Sequence, residues 1–123
     1  MIKKIEKIEK IIEKVKRKAE KDGWSVTYEH EEDTLTTNFT FAKFTPAGQD
    51  FSFSVDMIGA NFSQLITNIA VYYNEFDVDE QTYIWLDEFG HGKNGAPYRM
   101  RDVLEDMEAA ENMIWELRDT LLS

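Results

Sequence analysis

The sequence predicts an α+β domain in which a three-stranded antiparallel β-meander packs against helices, in the order α-β-β-β-α-α-α. Apolar residues recur every three or four positions near both ends of the chain, the spacing of amphipathic helices. Between these segments, apolar and polar residues alternate over three short runs, the spacing of half-buried strands. A sheet with one aromatic face needs a helical cover. A length of 123 residues fits one such domain.

The first element is predicted to be one amphipathic helix over residues 2–21. Gly23 after Asp22 ends this helix, because glycine adopts the left-handed C′ conformation at little cost. The helix is rich in lysine on its remaining faces, and residues 1–22 form the basic first segment of the domain. The apolar stripe consists of Ile5, Ile8, Ile12, Val15 and Ala19, with Ile2 and Ile11 at its flanks.

Residues 23–58 are predicted to form the sheet. Turns are expected at 31–33, where three acidic residues follow one another, and at 46–50, which contains both proline and glycine. Gly59 ends the sheet. The residues expected on one face are Trp24, Val26 and Tyr28, then Leu35, Thr37, Phe39, Phe41 and Lys43, then Phe51, Phe53 and Val55.

Residues 61–123 are predicted to be helical. Asn61 is an N-cap with Gln64 in the capping-box position, and the helix behind it runs to about Phe76. A shorter helix is expected from Asp77 to about Glu88, although its Tyr-Ile-Trp-Leu core has strand propensity too. Residues 90–97 read as an open loop. The last helix begins between positions 97 and 102, and its apolar seam is Val103, Met107, Ala110, Ile114, Leu117 and Leu121.

The charge of the chain is strongly asymmetric. The whole sequence carries 24 acidic and 14 basic side chains, a formal net charge of −10. Residues 1–22 have a net charge of +4, whereas residues 23–123 have a net charge of −14. An acidic body repels phosphate, so we expect no direct binding of nucleic acid, and it attracts a basic groove on a protein partner.

The sequence gives no positive sign of catalysis, of a cofactor or of a metal site. There is no cysteine, and Gly90-x-Gly92-x-x-Gly95 lacks the parallel β-α-β unit that a dinucleotide-binding turn requires. His30 lies in an acidic turn without the spacing of a known metal loop, and His91 lies between glycines. No apolar run approaches the length of a membrane span, and no secretory signal is apparent, so a cytoplasmic location is expected.

The carboxylates of the two last helices are the candidate partner-binding residues. Helix geometry holds them at fixed spacing, and their mutual repulsion costs a few tenths of a kcal/mol per pair, roughly, without an evident structural benefit. Solubility, or neutralisation by the basic first helix, remains an open alternative. The candidates are Asp102, Glu105, Asp106, Glu108 and Glu111, with Asp77, Asp79 and Glu80 as a second patch. Glu105, Asp106 and Glu108 are expected to be exposed.

Three runs of the sequence resemble a family of small acidic proteins carried by bacterial phages and other mobile elements. The runs are Phe44–Phe53, Tyr73–Glu80 and Val103–Glu108, accompanied by Trp85-Leu86 and Gly95-Ala96-Pro97. Members usually have glutamate where this chain has Gln49. The resemblance implies a role against bacterial defence, as in anti-CRISPR or antirestriction inhibitors, and it implies no catalytic residues.

Two hypotheses of function follow. In the first, the protein inhibits a nucleic-acid-handling defence enzyme, a CRISPR nuclease in particular, by presenting carboxylates to its basic groove in the cytoplasm of the host cell. In the second, it is a protein–protein interaction or homodimerisation module of a mobile element, without nucleic-acid mimicry, that assembles with itself or with a mobile-element partner through exposed apolar parts of its helical stripes. High salt is expected to weaken the first kind of complex much more than the second.

Overall fold

A computed structural model of the chain describes residues 2–89 and 99–123 and confirms the α+β class and the predicted order of elements. The predicted loop at 90–97, with His91 and the three glycines of its motif, lies outside the described residues. Within the described ranges, none of the helices has the length and apolar character that crossing a membrane requires. The elements are α1 (Ile2–Lys21), β1 (Ser25–Glu31), β2 (Thr36–Phe44), β3 (Asp50–Ile58), α2 (Phe62–Glu75), α3 (Val78–Ile84) and α4 (Met100–Leu122).

The three strands form one antiparallel sheet in the order β1-β2-β3. Phe41 lies opposite Val26 on one side and opposite Phe53 on the other, so these three residues form one row of the buried face. Thr40, next along β2, has a hydroxyl 2.8 Å from that of Ser54 on the opposite face. The sheet therefore has an aromatic face towards the helices and a polar open face, because side chains alternate along each strand.

The apolar seam of α4 is buried along its whole length, as the spacing predicts. The stripe of α1 is buried from Ile8 onwards, but Ile5 is 46% exposed, so the stripe is shorter than predicted. Helix α1 contacts both α4 and β1, which confirms that the first and last helices pack near each other. The buried residues of both stripes therefore belong to the core, whereas Ile5 remains partly exposed.

Helix α3 differs from its prediction. It ends at Ile84 instead of continuing to about Glu88, and Tyr83 and Ile84 are exposed. Both side chains therefore lie on the side of α3 that faces away from the core. The buried residue of α3 is Thr82, whose hydroxyl donates to the carbonyl oxygen of Val78 at 2.7 Å. The small hydroxyl is satisfied within the helix, which allows α3 to pack closely on α4.

Candidate functional site: the acidic surface of α3 and α4

Helix α4 carries a charged face opposite its buried seam. Arg101, Glu105, Glu108, Trp115 and Asp119 are all exposed and follow one another at spacings of three, four or seven residues. Such spacings place side chains on one side of a helix. From position 105 to position 119 this face is about 21 Å long, at a rise of about 1.5 Å per residue.

The predicted carboxylates of α4 occupy different environments. Asp102, Glu105 and Glu108 are exposed, whereas Glu111 is half-buried. Glu105 lies 3.5 Å from the guanidinium of Arg101, and both side chains are largely in solvent. An exposed pair of this kind contributes about 0–1 kcal/mol to stability, so these side chains are available to a partner at little cost.

The prediction that Asp106 is exposed is wrong. Its side chain is buried and accepts two hydrogen bonds from the turn between β2 and β3, from the Thr45 hydroxyl at 2.5 Å and from the Ala47 N–H at 3.1 Å. The Gln49 N–H donates in turn to the Thr45 hydroxyl at 2.9 Å. Asp106 lies three residues after Val103 and four before Ala110, so it is on the border of the buried seam and its side chain reaches the turn of the sheet. Its two hydrogen bonds link α4 to the turn between β2 and β3, so Asp106 does not belong to the binding surface.

The second predicted patch also has a local structural role. Asp77 is the N-cap of α3, and its Oδ1 atom accepts from the N–H groups of Asp79 and Glu80 at 3.0 and 3.2 Å. Asp79 and Glu80 lie in the first turn of α3, where negative charge complements the helix dipole. All three residues are exposed. The acidity of this patch therefore has a partial explanation within the fold.

The two patches adjoin along one edge. A surface hollow is lined by Asp79 and Tyr83 of α3 and by Met100, Arg101 and Leu104 of α4. Arg101 therefore lies at the hollow between the two helices and pairs with Glu105, one turn further along α4. We use the name acidic surface for the exposed or half-exposed carboxylates of this region: Asp77, Asp79, Glu80, Asp102, Glu105, Glu108 and Glu111.

In the part of the chain that the structure describes, the lysines of α1 do not form ion pairs with the carboxylate side chains of α4. Among residues 2–89 and 99–123, Lys18 is the charged residue of α1 that hydrogen-bonds to the end of α4, donating to the main-chain oxygens of Leu121 and Ser123. A cation at the C-terminal end of a helix complements the helix dipole. Neutralisation of the acidic surface by direct contact with α1 is therefore absent from this part of the molecule.

Trp115 is a feature of this face that the sequence reasoning missed. Its side chain is 41% exposed, its ring lies 5.0 Å from that of Tyr73, and the Arg118 guanidinium lies 4.7 Å from the Trp115 ring. Exposed tryptophan next to tyrosine and arginine is typical of the residues that dominate binding energy at interfaces. The signal was present in the sequence, since Trp115 lies outside the seam and four residues from both Glu111 and Asp119.

The acidic turn at His30 holds no comparable site within the described residues, and the loop with His91 lies outside them. The Nδ1 atom of His30 lies 2.9 Å from the hydroxyl of Thr37, a contact within the sheet. Across residues 2–89 and 99–123, histidine and acidic side chains do not converge in a group that fits a metal ion. The acidic surface can thus attract and orient cationic groups, and this is the chemistry that the described residues offer. No protein-family model matches this chain, and no curated protein or solved structure matches it.

Proposed function

We propose that this protein is a non-enzymatic inhibitor of a nucleic-acid-handling bacterial defence enzyme, of the anti-CRISPR type. It acts in the cytoplasm of the host cell, and its acidic surface occupies the basic groove that otherwise holds nucleic acid. The proposal combines the resemblance of the sequence to small acidic proteins of mobile elements with the placement of the carboxylates on α3 and α4.

The observation that carries the proposal is the row of exposed carboxylates along α4. Asp102, Glu105 and Glu108 are held by a helix whose opposite face is fixed in the core, so their spacing is preset before binding. Preset geometry lowers the entropic cost of association. Only Arg101 and Arg118 form ion pairs with carboxylates in the described part of α4. A basic groove supplies the cations that the fold itself does not.

Long-range electrostatics support the same kind of partner. The net charge of −14 over residues 23–123 raises the rate of encounter with a positively charged cleft, and added salt suppresses this effect. The alternative, an interaction or homodimerisation module that assembles through exposed apolar parts of the helical stripes, has less surface available, because the α4 seam and the α1 stripe from Ile8 onwards are buried. An inhibitor of this kind is therefore expected to bind fast and to release in high salt.

The experiment measures DNA cleavage by a panel of purified CRISPR nucleases with and without the protein. The test variant is Glu105→Lys/Glu108→Lys, and the control is Glu6→Lys/Glu13→Lys, which makes the same change in net charge at exposed positions of α1. We expect the parent and the control to inhibit a member of the panel, and the test variant to lose at least about tenfold in potency, as expected for two lost charge contacts.

An equal loss of inhibitory potency in the two double variants, relative to the parent, would show that net charge alone, and not the acidic surface, is responsible for inhibition. Absence of inhibition across the panel, together with absence of binding in a pull-down by the same nucleases, would refute the proposed target class. Circular dichroism of both variants ensures that the comparison is between folded proteins.

A further inference from the structure

Trp115 is a large aromatic residue exposed on a charged helix face. Its side chain is 41% exposed, whereas Trp24 is 2% exposed and Trp85 is half-buried, so Trp115 is the tryptophan that solvent reaches most. Leaving an indole in water forgoes the hydrophobic stabilisation that its burial supplies. Tryptophan at a surface is also enriched among the residues that dominate binding energy. The exposure of Trp115 therefore indicates contact with a partner.

The Trp115 ring is held in position by the packing of two helices. Its centroid lies 5.0 Å from that of Tyr73 on α2, and Tyr73 is itself partly buried against the hydrophobic core. Helices α2 and α4 are in direct contact, so both rings have a rigid support. A ring that is already ordered loses little conformational entropy when a partner binds to it.

The fold already places one guanidinium against this ring. The guanidinium carbon of Arg118 lies 4.7 Å from the Trp115 ring centroid, and its Nη1 atom lies 3.6 Å from the carboxylate of Asp119. Arg118 is the most buried of the three, with 27% of its side chain exposed, whereas the Asp119 side chain is 60% exposed. Part of the ring and of the carboxylate therefore remains open to a further group from solvent.

Carboxylates flank the exposed ring along α4. Glu111 lies four residues before Trp115 and Asp119 four residues after it, so each is one helical turn, or about 6 Å along the axis, from the ring. Glu108, one turn before Glu111, adds a third carboxylate on the same side of the helix. These three outnumber the guanidinium of Arg118, and the facing helix α2 contains no basic residue. The negative charge around the ring favours a cationic partner group.

Arginine matches this combination of groups better than lysine does. A planar guanidinium stacks on an aromatic face and donates two parallel hydrogen bonds to a carboxylate, whereas an ammonium is a compact and strongly hydrated charge. We propose that Trp115, Glu111 and Asp119 form a binding site for an arginine side chain of a protein partner. The inference rests on the proposed function for the source of this arginine, the basic groove of the target enzyme, and it names the residue type that the groove presents to α4.

Two peptides of equal charge, fluorescein-labelled hexa-arginine and hexa-lysine, test the site without a nuclease. Their affinities for the protein are measured by fluorescence anisotropy at low salt, and the ratio of the two affinities reports the preference for guanidinium. Trp115→Leu keeps an apolar side chain but removes the ring, and we expect it to lower this ratio about two- to fivefold, from typical exposed cation–π contacts. Tyr83→Leu, at a 66% exposed tyrosine of the acidic helix α3, is the matched control and is expected to keep the ratio.

A second pair of variants tests the carboxylates beside the ring. Glu111→Gln/Asp119→Asn removes both of them, and Glu6→Gln/Glu13→Gln removes the same two charges from exposed positions of α1. We expect the first double variant to bind hexa-arginine about threefold or more weakly than the second, as for two lost contacts between exposed charges. This comparison does not depend on the packing of Trp115, and circular dichroism checks that each variant is folded.

The peptide results separate this inference from the proposed function. A parent protein that does not bind hexa-arginine, a ratio unchanged in Trp115→Leu, or two double variants of equal affinity would overturn the arginine site. Inhibition of a nuclease that depends on Glu105 and Glu108 would still support the proposed function in that case. Conversely, a ratio that falls in Trp115→Leu but not in Tyr83→Leu would support the arginine site even where no nuclease of the panel is inhibited, and only the proposed target class would then be refuted.

Discussion

Replacement of Asp106 by alanine tests the link between α4 and the sheet. Asp106 is 4% exposed and accepts from the Thr45 hydroxyl and the Ala47 N–H, so the substitution leaves two donors without an acceptor. Thr45 is itself buried, whereas Ala47 is half-buried and its N–H is accessible to water after the change. We therefore assign most of the cost to the Thr45 hydroxyl.

Asp106→Ala is expected to lower the free energy of unfolding by about 2–4 kcal/mol. Each buried polar group without a hydrogen-bond partner costs about 1–3 kcal/mol, and hydrogen bonds to a charged acceptor are stronger than those to a neutral one. For a domain of this size, such a loss lowers Tm by roughly 10 °C. Urea unfolding followed by far-ultraviolet circular dichroism measures the change, and the slope with denaturant is expected to stay constant. Glu105→Ala, on the exposed face one residue away, is the control and is expected to stay within about 0.5 kcal/mol of the parent.

The pairing with Thr45 has its own test in a double-mutant cycle. If the hydroxyl and the carboxylate act together, Asp106→Ala and Thr45→Ala are expected to be non-additive by about 0.5 kcal/mol or more. The reasoning is refuted if Asp106→Ala costs no more than Glu105→Ala, because the side chain then behaves as an exposed carboxylate. Additive effects would show that the two residues act separately.

Two further predictions concern the core. Ile12→Asp, at a 6% exposed position of α1, is expected to lower the free energy of unfolding in urea by about 3–5 kcal/mol, because it buries an unpaired charge. Ile5→Asp, at a 46% exposed position, is expected to lower it by less than about 1 kcal/mol. Equal stabilities of the two variants would refute the packing of α1. Burial raises the pKa of Tyr72 above its ordinary value of 10.0, and its ring stacks on Phe53 at 4.6 Å. The folded state therefore holds the phenolic proton more tightly than the unfolded chain, so this stabilisation is present below pH 10 and is lost as pH rises through the raised pKa. Unfolding measured from neutral to alkaline pH is expected to show a steeper loss of stability in the parent than in Tyr72→Phe, and parallel curves would contradict the raised pKa.

The elements that the sequence predicted well are those with a single strong period. The seam of α4 repeats over almost three heptads, and the alternation along β2 and β3 continues for several residues, so each pattern fits one kind of element. Helix α3 was harder to predict, because a segment of seven residues holds too few turns to define a face. Its boundary depends on packing against α4, which local sequence does not encode.

The candidate site was predictable in its charges but not in their individual roles. Asp106 and Glu105 are adjacent acidic residues. Only the packing of α4 on the sheet shows that Asp106 is buried and Glu105 is exposed. The contact partners of Asp106 are about sixty positions away in the chain. The segments Phe44–Phe53 and Val103–Glu108 meet at this contact.

Exposure of Tyr28 shows the same limitation at the sheet. The alternation of Trp24, Val26 and Tyr28 predicts one buried face, yet the helical layer covers only the first two residues. The extent of a helical layer depends on where α1 lies over the sheet and not on the pattern within β1. An edge that is apolar but uncovered is therefore visible only once the tertiary structure is known.

Competition for a nucleic-acid groove is the most direct test of the central claim. A fluorescently labelled guide RNA or target DNA is bound to a nuclease that the protein inhibits, and the protein is titrated in at two salt concentrations. We predict that the parent and Glu6→Lys/Glu13→Lys displace the nucleic acid, less well at high salt, whereas Glu105→Lys/Glu108→Lys fails to do so while remaining folded. Inhibition with the nucleic acid still bound, or equal displacement by both double variants, would contradict the claim that the acidic surface occupies the groove.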